Sequence, residues 1–325
     1  MVATKPVVRR SNLPAAGPSG SWHALVLDVE RPGAAALRLE VTGRGHLLLR
    51  QGDAVALLAE IDDDHAGADY LTTGRFRSPV PPIRTAHATT LAEQRPDRSW
   101  YAGWAHHFAT ALISSTAGPL HSGRWVISPE VPRLRSPSWP HLLLPDDAGR
   151  IDWFAANGAW QVLPLRRLAS SDDGRVRSYR KQARDGTLPP VLLWWVSGLD
   201  CYLILDGHDR LVAAIAENRQ PPLLGLSLVR RQQAASDTEA AIIRYTTTVA
   251  ALERTIDAQT PGATAAFAAV NRQFAWSLSA IETWYGPTRA WPLPGGTAAW
   301  QRLARAAEAE RGSPLPEIQD GTGCA

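Results

Sequence analysis

The chain has 325 residues, of which 45% are hydrophobic and 20% charged, a composition typical of folded proteins and unlike disordered or fibrous ones. Its formal net charge of +3 is too small to indicate nucleic-acid binding by itself. The two cysteines, Cys201 and Cys324, are too few for a disulfide framework or a cysteine metal site. No apolar run reaches the roughly 20 residues of a membrane span. We therefore expect a cytoplasmic protein without a membrane segment.

The first part of the chain changes from polar to strand-like. Residues 1–20 are rich in Pro, Gly, Ser and Arg and predict a flexible arm. Residues 21–130 form a β-rich region, in which short apolar runs separated by turn residues are typical of antiparallel strands. These runs are Trp22–Val29, Leu37–Val41, His46–Leu49 and Val55–Ile61. The apolar spacing of Ser99–Ser115 predicts one helix in the same region.

Residues 131–232 alternate between strand and helix patterns. Asp172 or Asp173 can cap a helix that runs to about Arg184, where Gly186 ends it. Apolar runs and turn residues then predict a strand, a second strand, a helix and a third strand. Their ranges are Val191–Val196, Cys201–Leu205, Asp209–Asn218 and Leu223–Val229.

The last part of the chain has helical periodicity. Apolar residues recur at three- and four-residue steps within 233–311, and the final helix is expected at Ala298–Glu308. Residues 312–325 predict a disordered tail. The chain as a whole is therefore expected to be an α+β protein, with the helical region packed against the central domain.

The segment after the second central strand carries the strongest chemical signal. Gly207 allows an unusual backbone dihedral and the close approach of a ligand. The following helix points unpaired N–H groups back at the turn, where Arg210 can bind a phosphate bidentately. Asp206 could orient a metal, a ribose hydroxyl or the arginine, and His208 could donate to phosphate or carry a proton.

This stretch resembles the ParB/sulfiredoxin superfamily over roughly residues 160–230. The likeness is strongest at Pro189–Trp194, at Tyr202–Arg210 and at Ala213-Ala214. It implies a ParB/sulfiredoxin-like domain that binds the phosphates of ATP, ADP or CTP, with Mg²⁺ as the expected metal. By the motif match, Gly207 and Arg210 would bind phosphate, and His208 and Asp209 would complete the phosphate-contacting turn.

The two variable places of the same motif separate the chain from some members of the superfamily. They are filled here by His208 and Asp209, whereas sulfiredoxins have a cysteine in the first. Cys201 lies in the preceding strand and cannot substitute for it. ParB partition proteins have a helix-turn-helix after this domain, and no such pattern follows Arg231. The turn is most similar to the kinase-like and uncharacterised ParB-like members.

The helix before the Pro-Pro strand is strongly basic. Arg177, Arg180 and Lys181 are candidates to reach the phosphates, because the superfamily fold sets this helix beside the turn. The alternative is a solvated helix face with no ligand.

Three functions remain open from the sequence. The first is a phosphotransferase or nucleotide hydrolase of unknown acceptor, with His208 or Asp206 as the catalytic group. The second is a ParB-like nuclease, although DNA is an improbable partner because the net charge is small. The third is a non-catalytic adaptor or immunity-type protein that recognises another protein through its Trp-rich flanks. No protein metal site is predicted, since the run Asp62–His65 is typical of an acidic surface loop.

Overall fold

The computed structural model describes residues 6–14, 22–31, 33–43, 45–62, 66–83, 98–131, 139–153, 161–229, 231–255 and 286–312, with positions 88, 90, 91, 264, 266–271 and 274. The strands are β1 Val7–Pro14, β2 Trp22–Glu30, β3 Leu37–Val41, β4 His46–Gln51, β5 Ala54–Asp62, β6 Gly67–Thr72, β7 Gly123–Ser128, β8 Ala148–Asp152, β9 Val162–Leu163, β10 Val191–Val196, β11 Cys201–Asp206, β12 Leu223–Val229 and β13 Ala290–Pro292. The helices are α1 Arg98–Ser114, α2 Trp139–Leu142, α3 Gly174–Arg184, α4 His208–Ala216, α5 Arg231–Thr255 and α6 Gly296–Arg311.

The larger sheet joins the first part of the chain to the central part. Its seven strands run in the order β1-β2-β7-β12-β10-β11-β9. β10 pairs antiparallel with β11 and parallel with β12, and β12 pairs antiparallel with β7. This continuous sheet crosses the boundary that the sequence suggests near residue 130.

The smaller sheet is built mainly from consecutive antiparallel strands. Its order is β13-β3-β4-β5-β6-β8, with β13 parallel to β3. Short turns between β3, β4, β5 and β6 explain the antiparallel pairing, because such strands need only a few connecting residues. A strand from the C-terminal part of the chain therefore completes the edge of this sheet.

The inner faces of the two sheets share one hydrophobic core. Leu27 and Leu203 of the larger sheet and Leu39 and Leu57 of the smaller sheet all belong to it. α4 covers the outer face of the larger sheet through Leu211. The layers are therefore helix, sheet, sheet and helix, since α6 covers the outer face of the smaller sheet.

The tryptophan of α6 fixes this last layer. Trp300 is buried beside Leu48 and Leu58, and its Nε1 donates to the Leu47 carbonyl over 2.9 Å. A buried indole N–H needs such an acceptor to avoid the cost of desolvation. The last helix thus packs on the smaller sheet, whereas the sequence suggests contact with the central domain.

The expected α+β class is confirmed, and most individual strands agree with the sequence within a residue or two. The flexible arm is a correction, because residues 7–14 of it form β1. This edge strand pairs with β2 along its whole length although its side chains are mostly exposed. Backbone hydrogen bonds alone can hold such a strand, so its sequence carries no apolar alternation. The tail after residue 312 lies outside the described residues.

The C-terminal region contains helices, as expected, and also a strand that the sequence does not predict. α5 and α6 match the helical periodicity, while β13 interrupts the region between them. Within the part of the chain that the structure describes, no helix has the length and apolar content needed to cross a bilayer.

Candidate functional site

The turn between β11 and α4 has a backbone that only glycine adopts easily. Gly207 has a φ of +98° and is the N-cap of α4, with no side chain capping the helix. A Cβ at this position would lie 2.7 Å from Nη2 and 2.9 Å from Nε of Arg210. The guanidinium therefore lies directly on the turn, and the glycine is needed both for its dihedral and for its lack of a side chain.

Arg210 is turned back onto the end of β11. Its Nη2 donates to Oδ2 of Asp206 over 2.6 Å, and the residue is only 3% exposed. Ser78 donates to the other carboxylate oxygen, Oδ1, over 2.9 Å. The Nε of Arg210 is buried and has no hydrogen-bond partner among the described residues. The guanidinium thus keeps one donor unused beside an internal anion.

His208 is enclosed by the protein. Its Nε2 accepts a hydrogen bond from the backbone N–H of Leu165 over 3.2 Å, which requires that nitrogen to be unprotonated. Burial, together with Arg166 and Arg210, lowers the pKa of His208 well below 6.5. The neutral imidazole holds the chain after β9 against α4, and the residue is only 1% exposed.

Asp209 is buried and paired with two arginines. Its Oδ1 accepts from Nη2 of Arg166 over 2.8 Å, and its Oδ2 lies 3.4 Å from Nε of Arg175. Arg175 comes from the first turn of α3, where Asp173 caps the helix through Oδ1. The expected helix cap is confirmed, and Arg175 is the α3 residue that forms an ion pair with the turn.

The other basic residues of α3 have different surroundings. Arg180 donates to Glu217 over 2.6 Å, and its hydrogen bond is the main cause that lowers the pKa of that carboxyl. Arg177 and Lys181 are exposed. No hydrogen bond or ion pair links these three candidates to the turn within the described residues. Their phosphate-binding role stays a prediction.

The structure thus brings five of the candidates together: Asp206, Gly207, His208, Asp209 and Arg210. It also adds Ser78 and Arg166, which the sequence did not single out. Ser78 is 128 positions from its partner Asp206, and no local pattern could have indicated that contact.

Other groups that the sequence raised have structural roles. Cys201 is fully buried, and burial raises the pKa of its thiol, so it is unreactive. Asp62 is paired with Arg150, and the three residues after it lie outside the described residues. Among the described residues, no cluster of His, Cys, Asp and Glu could hold a metal ion.

The tryptophans of the described residues are buried or half-buried. Trp194 and Trp195 face opposite sides of β10, as expected for neighbours in a strand, and belong to different core clusters. Both are almost fully buried, so neither lines an open cleft.

Comparisons with known proteins give no independent assignment. No family model matches the chain, and no curated protein or solved structure matches it either.

Proposed function

We propose that residues 161–229 form a ParB/sulfiredoxin-like nucleotide-binding unit and that the turn at Gly207 takes the phosphates of a nucleotide such as ATP or CTP. The protein would then be a phosphotransferase or a nucleotide hydrolase. The observation that carries this proposal is the position of the Arg210 guanidinium, which lies against the uncapped N-terminus of α4. Both groups attract oxyanions, and they do so most strongly when they meet at one point.

The internal carboxylate explains how this site can be closed without a ligand. Asp206 supplies a negative charge to Arg210, as a phosphate oxygen would. A nucleotide phosphate carries more charge than one carboxylate and can bind the guanidinium through two oxygens. We infer that phosphate replaces Asp206 as the partner of Arg210.

Such an exchange requires the turn to open. Arg210 is almost fully buried, and Ser78 holds Asp206 in place from the segment that follows β6. If only a fraction of the molecules is open, the measured association constant equals the intrinsic one multiplied by that fraction. We therefore expect modest nucleotide affinity that rises when the internal carboxylate is neutralised.

Asp206 also has a role after the exchange. Once released from Arg210, its carboxylate can hold Mg²⁺, which usually binds through one or two carboxylates and substrate phosphates. That ion would neutralise charge on the transferred phosphoryl group. His208 could act on an acceptor only if its bond to Leu165 opened as well.

Isothermal titration calorimetry with ATP·Mg²⁺ and with CTP·Mg²⁺ tests the binding step. We expect heat with the wild type and none with Arg210→Ala. In a titration without Mg²⁺, where Asp206 acts only as the internal competitor for Arg210, Asp206→Asn should bind the nucleotide more tightly than the wild type. Arg305→Ala is the control, because this arginine is exposed on α6 and is not part of the turn; it should leave binding unchanged. Circular dichroism must show that each variant is folded. Absence of heat with both nucleotides, or an unchanged Kd in a folded Arg210→Ala, would refute the proposal.

A second candidate is a non-catalytic domain, and the closed turn favours it. His208, Asp209 and Arg210 all have partners within the protein. In this case the ion pairs serve only to fix the turn. A phosphate-release assay distinguishes the candidates: turnover that Arg210→Ala abolishes supports the enzyme, whereas no turnover together with a stoichiometric protein partner supports the second candidate.

A further inference from the structure

A separate cleft of about 620 Å³ lies at the other end of the larger sheet. It is formed by the ends of β1, β2, β7 and β12 and by residues 287 and 289. Gly207 follows the end of β11, which lies beside the start of β10 because the two strands are antiparallel. β12 is parallel to β10, so Gly207 is also near the start of β12. The cleft instead includes Leu228 and Val229, at the end of β12. At about 3.3 Å per residue, the two places are roughly 20 Å apart along the strands. They cannot share one small ligand.

Charged side chains form a row across three strands in this cleft. Arg9 is directly opposite Asp28, and Asp28 is directly opposite Arg124. Residues opposite each other in a ladder point to the same face, with Cβ atoms about 5 Å apart. Arg289 lines the same cleft from outside the sheet. Three arginines therefore line one cleft, together with Asp28 and Glu30.

These arginines differ from the paired arginines elsewhere in the protein. None of Arg9, Arg124 and Arg289 lies within 4.0 Å of a carboxylate among the described residues, in contrast to Arg210 and Arg166. The Arg289 guanidinium packs over the Trp291 ring, 5.1 Å from its centroid. An aromatic face leaves the N–H edges of a guanidinium available. The guanidinium N–H donors of Arg9, Arg124 and Arg289 are therefore free to bind an oxyanion.

The cleft wall also contains an acceptor. His121 is 3% exposed, and its Nδ1 donates to the Ser122 carbonyl over 2.9 Å, which leaves Nε2 unprotonated. Nε2 has no hydrogen-bond partner among the described residues. Burial is the main cause that lowers the pKa of His121, and Arg289 lowers it further. The imidazole is therefore neutral near pH 7, and it adds a buried lone pair rather than a positive charge to the wall of the cleft.

We propose that this cleft binds a small organic anion, with a phosphate or carboxylate group held by Arg9, Arg124 and Arg289. The volume lies in the range of small-molecule sites. Asp28 and Glu30 are acceptors in the lining, so the ligand also carries donors such as hydroxyl groups. The site is independent of the nucleotide-binding turn and does not rest on it.

Thermal unfolding with three probes tests the proposal: inorganic phosphate, glucose 6-phosphate and citrate, each compared with sodium chloride at equal ionic strength. We expect glucose 6-phosphate or citrate to raise the Tm in a saturable way, and the probe that does so separates a phosphate from a carboxylate specificity. A rise no larger than with chloride for all three probes at millimolar concentration overturns the proposal.

Variants decide where the probe binds. Arg124→Gln and Arg289→Gln should each weaken binding about tenfold, since each removes charge-assisted hydrogen bonds. Asp28→Asn should tighten it, because it removes a negative charge that repels the anion and keeps a side-chain oxygen that can accept from the donors of the ligand. Arg305→Gln, at an exposed position of α6, is the matched control and should leave binding unchanged. Equal binding by all four variants contradicts the site. Loss of folding cannot explain weaker binding by Arg124→Gln together with tighter binding by Asp28→Asn, because both positions are half-buried and unfolding could only weaken binding.

The two proposals fail separately. Loss of nucleotide binding in Arg210→Ala with normal binding of the cleft probe supports both sites. If ATP binding instead survives Arg210→Ala and is lost in Arg124→Gln, the turn is not the nucleotide site and the cleft is the anion site. If the cleft probe still binds to Arg124→Gln and Arg289→Gln with wild-type affinity, the cleft proposal is wrong whatever the nucleotide result.

Discussion

Among the described residues, the arginines at one end of the larger sheet are paired with carboxylates, whereas those at the other end are not. At the turn beyond β11, Asp206 and Arg210 form a short ion pair, and the buried Asp209 is held by Arg166 and Arg175. At the cleft formed by β1, β2, β7 and β12, the arginines are exposed or half-buried and have no carboxylate partner within ion-pair distance in the described part of the chain. The turn has a recognisable motif, and the cleft has none.

The difference shows that a charge within a motif can already be paired inside the fold before any ligand binds, whereas unpaired charges can lie where no motif marks them. A buried ion pair fixes local geometry, and removing one member leaves the other uncompensated. An exposed arginine contributes little to stability and keeps its donors for a ligand. Loss of an arginine should therefore affect stability at the turn and ligand binding at the cleft. Three measurements test this contrast.

The largest effect is expected from Arg210→Ala. It leaves the Asp206 carboxylate without its guanidinium and opens a cavity on the turn, and loss of one partner of a buried pair costs about 3–5 kcal/mol. Arg124→Ala at the cleft should cost less than about 1 kcal/mol. Urea unfolding of both variants measures the difference, and similar losses for the two would remove the contrast between the ends.

Gly207→Ala should have the next largest effect. It combines a left-handed φ with a Cβ that meets the Arg210 guanidinium at 2.7 Å, and we expect a loss of about 2–3 kcal/mol from both causes. Gly174→Ala is the matched control, because nothing lies within 4 Å of its added Cβ and its φ is not positive. This control should stabilise the protein by about 0.4–1 kcal/mol, because alanine restricts the unfolded chain without strain in the folded one. If the two alanine variants unfold at the same urea concentration, Gly207 is not constrained as described.

The smallest effect is a pH dependence from His208. Its folded-state pKa lies below the unfolded value of about 6.5, so its contribution is fully present above pH 6.5. The contribution falls as pH decreases toward the folded-state pKa, by at most about 1.4 kcal/mol per pH unit. Unfolding at pH 7.0 and 5.5 should show this loss in the wild type and less of it in His208→Gln, whose amide oxygen can still accept from Leu165.

His121→Gln provides the comparison at the cleft. The pKa of His121 is also lowered, but less than that of His208, so removing it should flatten the pH profile less. A profile that neither substitution changes would mean that other groups control the acid sensitivity.

Much of the local structure was readable because it depends on neighbours in the chain. Asp173 caps α3, and Gly207 separates β11 from α4, as their residue types and positions indicate. β1 was missed because an exposed edge strand needs no apolar alternation. β13 was missed because it is only three residues long and is stabilised by pairing with β3, far away in the sequence.

The site shows the same division. The sequence indicated Asp206 and Arg210 as partners or ligand groups, since four residues across a strand-to-helix turn bring them close. It could not indicate Ser78 or Arg166, which approach from other parts of the chain. It also could not indicate that Nε2 of His208 would accept a hydrogen bond from the backbone N–H of Leu165.

By itself, the sequence determined the mixed composition of helices and strands, the strand-turn-helix unit around Gly207 and the residue types available at that turn. These follow from short-range preferences for dihedral angles, capping and apolar periodicity. Only the tertiary structure decided that Arg210 faces Asp206 inside the protein and that Arg9, Asp28 and Arg124 form a row on one face. Both arrangements depend on strand register and on contacts between distant segments, which are selected by burial of the common core rather than by any local pattern.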